Sequence, residues 1–90
     1  MLISLLEGPR HGYAISKDIE QLTGRRPGPG TLYGAISRLE DAGLIQPQAG
    51  GNRRKPYGLT PAGRNEAERE LSRMTSLARE GRRRLRTAPA

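Results

Sequence analysis

Prolines cut the first two-thirds of this 90-residue chain into short pieces, and then the cutting stops. Six of the seven lie between Pro9 and Pro61, and the next is Pro89. Proline removes an amide donor and clashes with the preceding turn, so helix interiors exclude it. The chain can therefore build several short elements up to residue 60 and one long uninterrupted helix after it.

The short pieces have distinct grammars. Met1 to Glu7 is apolar on nearly every side and stops at Gly8-Pro9, which predicts a first helix of barely two turns that packing must hold. A second helix is expected from about His11-Gly12 to Leu22, ending at Thr23-Gly24. Its Ile15, Ile19 and Leu22 share one face, opposite Lys17, Asp18, Glu20 and Gln21. The stretch from Arg25 to Gly30 is a turn, with Pro27 and Pro29 set between glycines.

The third helix opens with Pro29 at its first position and closes at Gly43, a natural C′ glycine. Leu32, Ile36 and Leu39 form its apolar stripe, widened by Ala35. Its other face carries Thr31, Tyr33, Gly34, Ser37 and Arg38. Two weak strands are then expected, one from Leu44-Ile45-Gln46 and one ending at Tyr57-Gly58-Leu59, around a Gly50-Gly51-Asn52 tip. Prolines on both arms predict short edge strands, and the chain has no valine to strengthen them.

Thr60-Pro61 is an N-cap followed by a first-turn proline, opening the final helix. Ala67, Leu71, Met74, Ala78, Gly81 and Leu85 repeat at alternating spacings of four and three, three heptads of seam positions, with Leu77 beside them. A helix covering its own domain would show a similar stripe, but this one outruns any domain that could cover it. The expectation is an association helix with a close seam. Residues 87–90 are expected to be a loose tail.

Composition closes off other classes. There is no cysteine for a disulfide, thiolate site or nucleophile, and one histidine, His11, which reads as a helix-start residue. No metal and no cofactor is expected, and no acid–base pair, phosphate loop or other enzyme signature is visible. The glycines at 28 and 30 follow no strand, so they do not make a dinucleotide loop. The apolar run at Met1–Leu6 is far short of the roughly 20 residues of a membrane span and lacks the features of a signal peptide, so a cytoplasmic protein is expected, with no membrane partner. Tyr13, Tyr33 and Tyr57 are the only aromatics, a poor supply for stacking RNA bases.

Charge adds direction. The formal net charge is +7, from 16 cations and nine anions. Residues 1–45 are balanced at five against five, so the whole excess lies in residues 46–90. Such asymmetry points to a polyanion, nucleic acid before acidic membrane.

Helix, helix, helix, hairpin, long helix is the order of a winged helix-turn-helix. The expected fold is mainly α with a small β-hairpin: a winged helix-turn-helix in residues 1–60 and a dimerisation helix in residues 61–86. In such a domain the third helix enters the major groove with its N-terminal residues at the base edges. The basic hairpin tip, Arg53, Arg54 and Lys55, can reach phosphate or the minor groove.

Here the sequence resembles a family. Leu5-Leu6-Glu7-Gly8-Pro9-Arg10-His11-Gly12-Tyr13-Ala14-Ile15, Pro29-Gly30-Thr31-Leu32-Tyr33, Arg38-Leu39-Glu40-Asp41-Ala42-Gly43-Leu44-Ile45 and Tyr57-Gly58-Leu59-Thr60-Pro61-Ala62-Gly63 look like the PadR family of bacterial transcriptional regulators. The resemblance implies a homodimeric repressor on a palindromic operator in double-stranded DNA, dimerised through its last helix, in agreement with the heptads. It also suggests a phosphate contact for Tyr13. Some family members bind flat aromatic drugs or phenolic acids between protomers. A small-molecule effector of this chain is thus compatible with the resemblance but unidentified, and no Trp or Phe is present to sandwich one.

The chain departs from the family pattern in four places. It starts inside its first helix, so an N-terminal contribution to the dimer is expected to be missing. Gly28 replaces a usual capping serine, Gly34 a usual proline, and Lys55-Pro56-Tyr57-Gly58 is less basic than usual.

The expected DNA-contacting set is Tyr13, Gly30, Thr31, Tyr33, Gly34, Ser37, Arg38, Arg53, Arg54 and Lys55. Three members have competing roles: Tyr33 as packing on the second helix, Arg38 as a partner of Asp41, and Tyr13 as core or dimer packing. Arg25 and Arg26 precede the third helix and suit either backbone contact or a solvated turn. The expected dimer set is Leu2, Leu5, Ala67, Leu71, Met74, Leu77, Ala78 and Leu85. The rival functional reading is a winged-helix protein–protein adaptor that binds no DNA.

Overall fold

The computed structural model describes residues 1–49 and 55–89. A short 3-10 helix over Leu2–Leu5 leads into strand β1 (Arg10–His11), helix α1 (Gly12–Thr23) and helix α2 (Pro29–Asp41). Strands β2 (Ile45–Pro47) and β3 (Pro56–Leu59) follow, and helix α3 (Pro61–Thr87) completes the chain. The architecture is the expected winged helix, mainly helical with a small sheet, followed by a long C-terminal helix.

Three details differ from the expectation. The first helix is a single 3-10 stretch over Leu2–Leu5, stopped ahead of Gly8-Pro9 and held by packing on the core. The sheet has three strands in the order β1-β3-β2, both pairs antiparallel. β3 is therefore the central strand, not an edge. Pro56 is tolerated because it is the strand's first residue, and its carbonyl accepts from the Gln48 amide at 2.8 Å. Leu22, assigned to the apolar face of α1, is 60% exposed at the helix end, where nothing in the protomer covers it.

The core is small. Leu2, Leu5, Ile15, Leu32, Ile36, Ile45 and Ala67 are buried, with Ile19, Leu39, Leu44, Tyr57 and Leu59 packed against them. This corrects three expectations. Leu2, Leu5 and Ala67 are 5%, 2% and 0% exposed within the protomer, so they fill its own core and offer no surface to a partner. Spacing put Ala67 on the seam, but the 3-10 helix packs on the root of α3, and Leu2, Leu5 and Ala67 are covered there.

α2 ends in a Schellman arrangement: Leu44 N–H donates to the Leu39 carbonyl and Gly43 N–H to that of Glu40, with Gly43 at φ +76°. The same two residues anchor α3. Thr60 Oγ1 donates to the Gly43 carbonyl at 2.6 Å, and Thr60 N–H donates to the Leu44 carbonyl at 3.1 Å. Thr60 Oγ1 in turn accepts from Gly63 N–H at 3.0 Å, the N-cap read from the sequence. Gly63 lies so close to this junction that a Cβ there would overlap the Leu44 carbonyl oxygen.

Beyond Ala67 no residue of α3 is buried. The helix has 27 residues, so it runs about 40 Å. The radius of gyration is 16.1 Å, against about 12 Å for a compact chain of this size, because α3 projects. Two carboxylates brace it. Glu66 accepts from Arg69 and Arg73, and Glu80 from Arg83 and Arg84. Hydrogen bonds from Arg69 first, then Arg73, hold the Glu66 carboxyl below the ordinary carboxylate range; Arg83, then Arg84, do so for Glu80.

Thr60→Ala is expected to lower stability by about 1–2 kcal/mol, the usual cost of a lost N-cap. Gly63→Ala should cost more, since backbone must move. Thermal or urea unfolding of both variants checks the order. Because Glu66 and Glu80 titrate lower when folded, their support for α3 is full above the unfolded carboxylate pKa and is lost as pH falls through the folded one. Circular dichroism at 222 nm should show helicity declining on acidification, and Glu66→Gln with Glu80→Gln should flatten that response.

Candidate nucleic-acid interface

The period of α2 sorts its residues cleanly. Leu32 and Ile36 are buried, while Gly30, Thr31, Tyr33, Ser37 and Arg38 are exposed and Gly34 is partly so. The helix starts with Gly28 as an N-cap that has no side chain to give, and Pro29 occupies the first turn. The amides of Gly30 and Thr31 precede the first intrahelical bond, which Leu32 N–H makes to the Gly28 carbonyl at 2.9 Å. The head of the helix is thus polar, uncapped and open.

Tyr33 is 55% exposed, yet its hydroxyl end is seated on the start of α1. A Cβ on Gly12 would stand 2.7 Å from the Tyr33 Oη. The packing role is thus visible: Tyr33 sits on α1 while leaving more than half of its surface to solvent. Arg38 forms no ion pair with Asp41; its Nη1 lies back over Gly34, 3.5 Å from where a Cβ would be.

Tyr13 is also half-exposed, and two cations flank its ring. The Arg26 Cζ stands 5.0 Å and the Lys17 Nζ 5.6 Å from the ring centroid. The Arg26 Nε also donates to the buried Ser16 Oγ at 3.1 Å. Tyr13, Ser16, Arg26, Pro27, Pro29, Leu32 and Tyr33 line a cleft of about 400 Å³ at the head of α2.

Sequence reasoning missed Lys17 and Ser16 and left Arg26 undecided. Lys17 was recoverable, because a residue four after Tyr13 on a helix shares its face. The return of Arg26 onto α1 is tertiary, and no local periodicity encodes it. Of the expected wing residues, Lys55 is exposed just before β3, whereas Arg53 and Arg54 lie outside the described residues.

Residues 1–69 match the Transcriptional regulator PadR-like family. The chain belongs to that family. Its members are transcriptional regulators and not enzymes, and the resemblance read from the sequence is confirmed over the winged helix and the root of α3. The chain is 38% identical over 74 residues to a transcriptional regulator of Mycobacterium tuberculosis, a stretch covering 79% of this chain and 58% of that one. It is 50% identical over 78 residues to an uncharacterized 37.1 kDa protein in a transposon of Streptomyces fradiae, covering 87% of this chain and 23% of the relative. The chain therefore spans about a quarter of one curated relative and somewhat over half of the other. Among solved structures it is similar to a PadR family transcription regulator from Clostridium difficile R20291, with 27% identity, a TM-score of 0.80, and 93% and 92% of the two chains covered. No helix among the described residues is long and apolar enough to cross a membrane.

The contact at Gly12 is testable by itself. Tyr33 can give at its far end, so Gly12→Ala is expected to change stability by less than about 1 kcal/mol. The Tyr33 ring resonances should nonetheless shift. Unchanged shifts in the variant would mean that the hydroxyl is not seated on α1.

Proposed function

We propose that this PadR-family chain binds double-stranded DNA as a homodimer and represses transcription from a palindromic operator. The observation that carries the reading is the head of α2, where Thr31, Tyr33, Ser37 and Arg38 are exposed on the face opposite buried Leu32 and Ile36. In the major groove these side chains meet base edges, and their small number leaves affinity to phosphate contacts. Arg53, Arg54 and Lys55 supply such contacts from the wing. Residues 1–60 form the DNA-binding unit and residues 61–86 the dimerisation helix.

Dimerisation is supported by what α3 leaves bare. Leu71, Met74, Leu77 and Leu85 are 40%, 49%, 74% and 77% exposed, and Ala78 is exposed between them. Four large apolar side chains along one projecting helix suit a second copy in a close seam. The dimer set is thereby reduced to Leu71, Met74, Leu77, Ala78 and Leu85. A winged-helix adaptor that binds no DNA is the alternative, supported by the absence of net positive charge on α2 itself.

Binding to duplexes selected from a random library should yield a palindromic site, and affinity should fall steeply with salt. Arg53→Ala with Arg54→Ala should weaken binding to every duplex alike, while Thr31→Ala should alter sequence preference. A flat salt response, or no duplex binding at all, favours the adaptor. Leu71→Glu with Leu77→Glu is expected to convert a dimer to a monomer in sedimentation velocity and to weaken operator binding with it.

A further inference from the structure

Arg26, Lys17 and Tyr13 form a cluster at the head of α2 in which, beyond the Arg26 bond to Ser16, the cationic donors are not used by the fold. We propose that this cluster is a preassembled clamp for one backbone phosphate of duplex DNA at the head of α2, with Arg26 as the binding group. The inference rests on the duplex-binding reading above and deepens it.

The orientation of Arg26 is set from two sides. Its Nε is taken by the Ser16 hydroxyl, itself only 5% exposed, and its Cζ stands over the Tyr13 ring, 5.0 Å from the centroid. That leaves both Nη groups to donate, in the forked geometry that matches a phosphate. Lys17 stands near the same ring and adds a second charge. Among the described residues neither cation has a carboxylate partner, although four ion pairs form elsewhere along α3. Two cations at one ring without a counter-charge raise the local positive potential, which favours an anion at Arg26.

The surroundings fit a phosphate on a strand more than a free anion. The cleft beside the cluster is lined by Pro27, Pro29, Leu32 and Tyr33 as well as Tyr13, so it presents apolar walls for a sugar next to the charge. The uncapped start of α2 lies on the same cleft through Pro29. Ordering of Arg26 before contact reduces the side-chain entropy that binding would otherwise cost.

The test is a salt titration of a fluorescein-labelled mixed-sequence duplex of about three helical turns. For the wild-type dimer, the logarithm of affinity falls linearly with the logarithm of salt, by about 0.9 per phosphate neutralised. Arg26→Ala should weaken binding roughly tenfold or more and reduce the slope by about 2 per dimer, one contact from each protomer. Arg26→Lys should restore the slope but not the full affinity, because it keeps charge and loses the fork. Ser16→Ala, which removes no charge, should weaken binding a few-fold at unchanged slope.

If Arg26→Ala fails to fold, the exposed Lys17→Ala and Arg26→Lys decide the matter by the same two readouts. A wild-type protein that binds no duplex at any salt overturns the functional reading itself. A wild type that binds with steep salt dependence, alongside an Arg26→Ala variant of unaltered slope, overturns the clamp alone.

Discussion

The molecule turns on one hydroxyl. Thr60 Oγ1 donates to the carbonyl of Gly43, past the end of α2, and accepts from the amide of Gly63, in the first turn of α3. A single group thus ends α2 and starts α3, while the Thr60 amide closes the junction on Leu44. The missing side chain of Gly63 lets the two backbones meet there. The sheet, the core and the position of α2 depend on this joint, since β2 leaves from it and β3 returns to it.

The division of labour between charge and shape also follows from the fold. The excess positive charge is carried by residues 46–90, even though Glu66 and Glu80 hold four of the arginines along α3. The face of α2 is nearly neutral. Under the proposed duplex binding, attraction and discrimination are carried by different parts of the chain, with Arg26 and Lys17 adding charge from the balanced half.

Much of this was legible in the sequence, for a physical reason. Prolines and glycines at Gly24, Pro29, Gly43 and Pro61 mark helix ends through backbone chemistry, and Thr60 through its capping hydroxyl, so α1, α2 and α3 lie within a residue or two of their expected bounds. The helical period likewise placed Thr31, Tyr33, Ser37 and Arg38 on one open face. Strand β1 was not legible, because two residues carry no alternation and their pairing with Pro56 and Tyr57 is decided some 45 residues away. The fate of Leu2, Leu5 and Ala67 was hidden for a related reason. Periodicity says which side chains share a face, and only the fold says what lies on it.

Because α3 leaves the domain after Ala67, it acts as a lever with its fulcrum at Gly63. From Gly63 to Thr87 the arm is about 36 Å, so a tilt of about 5° at the root swings the far end by about 3 Å. That is close to the roughly 3.4 Å rise of one base pair. If the chain binds duplex DNA as proposed, small changes of packing beneath the Leu44 carbonyl, where Gly63 meets it most closely, are magnified to the scale of a base-pair step.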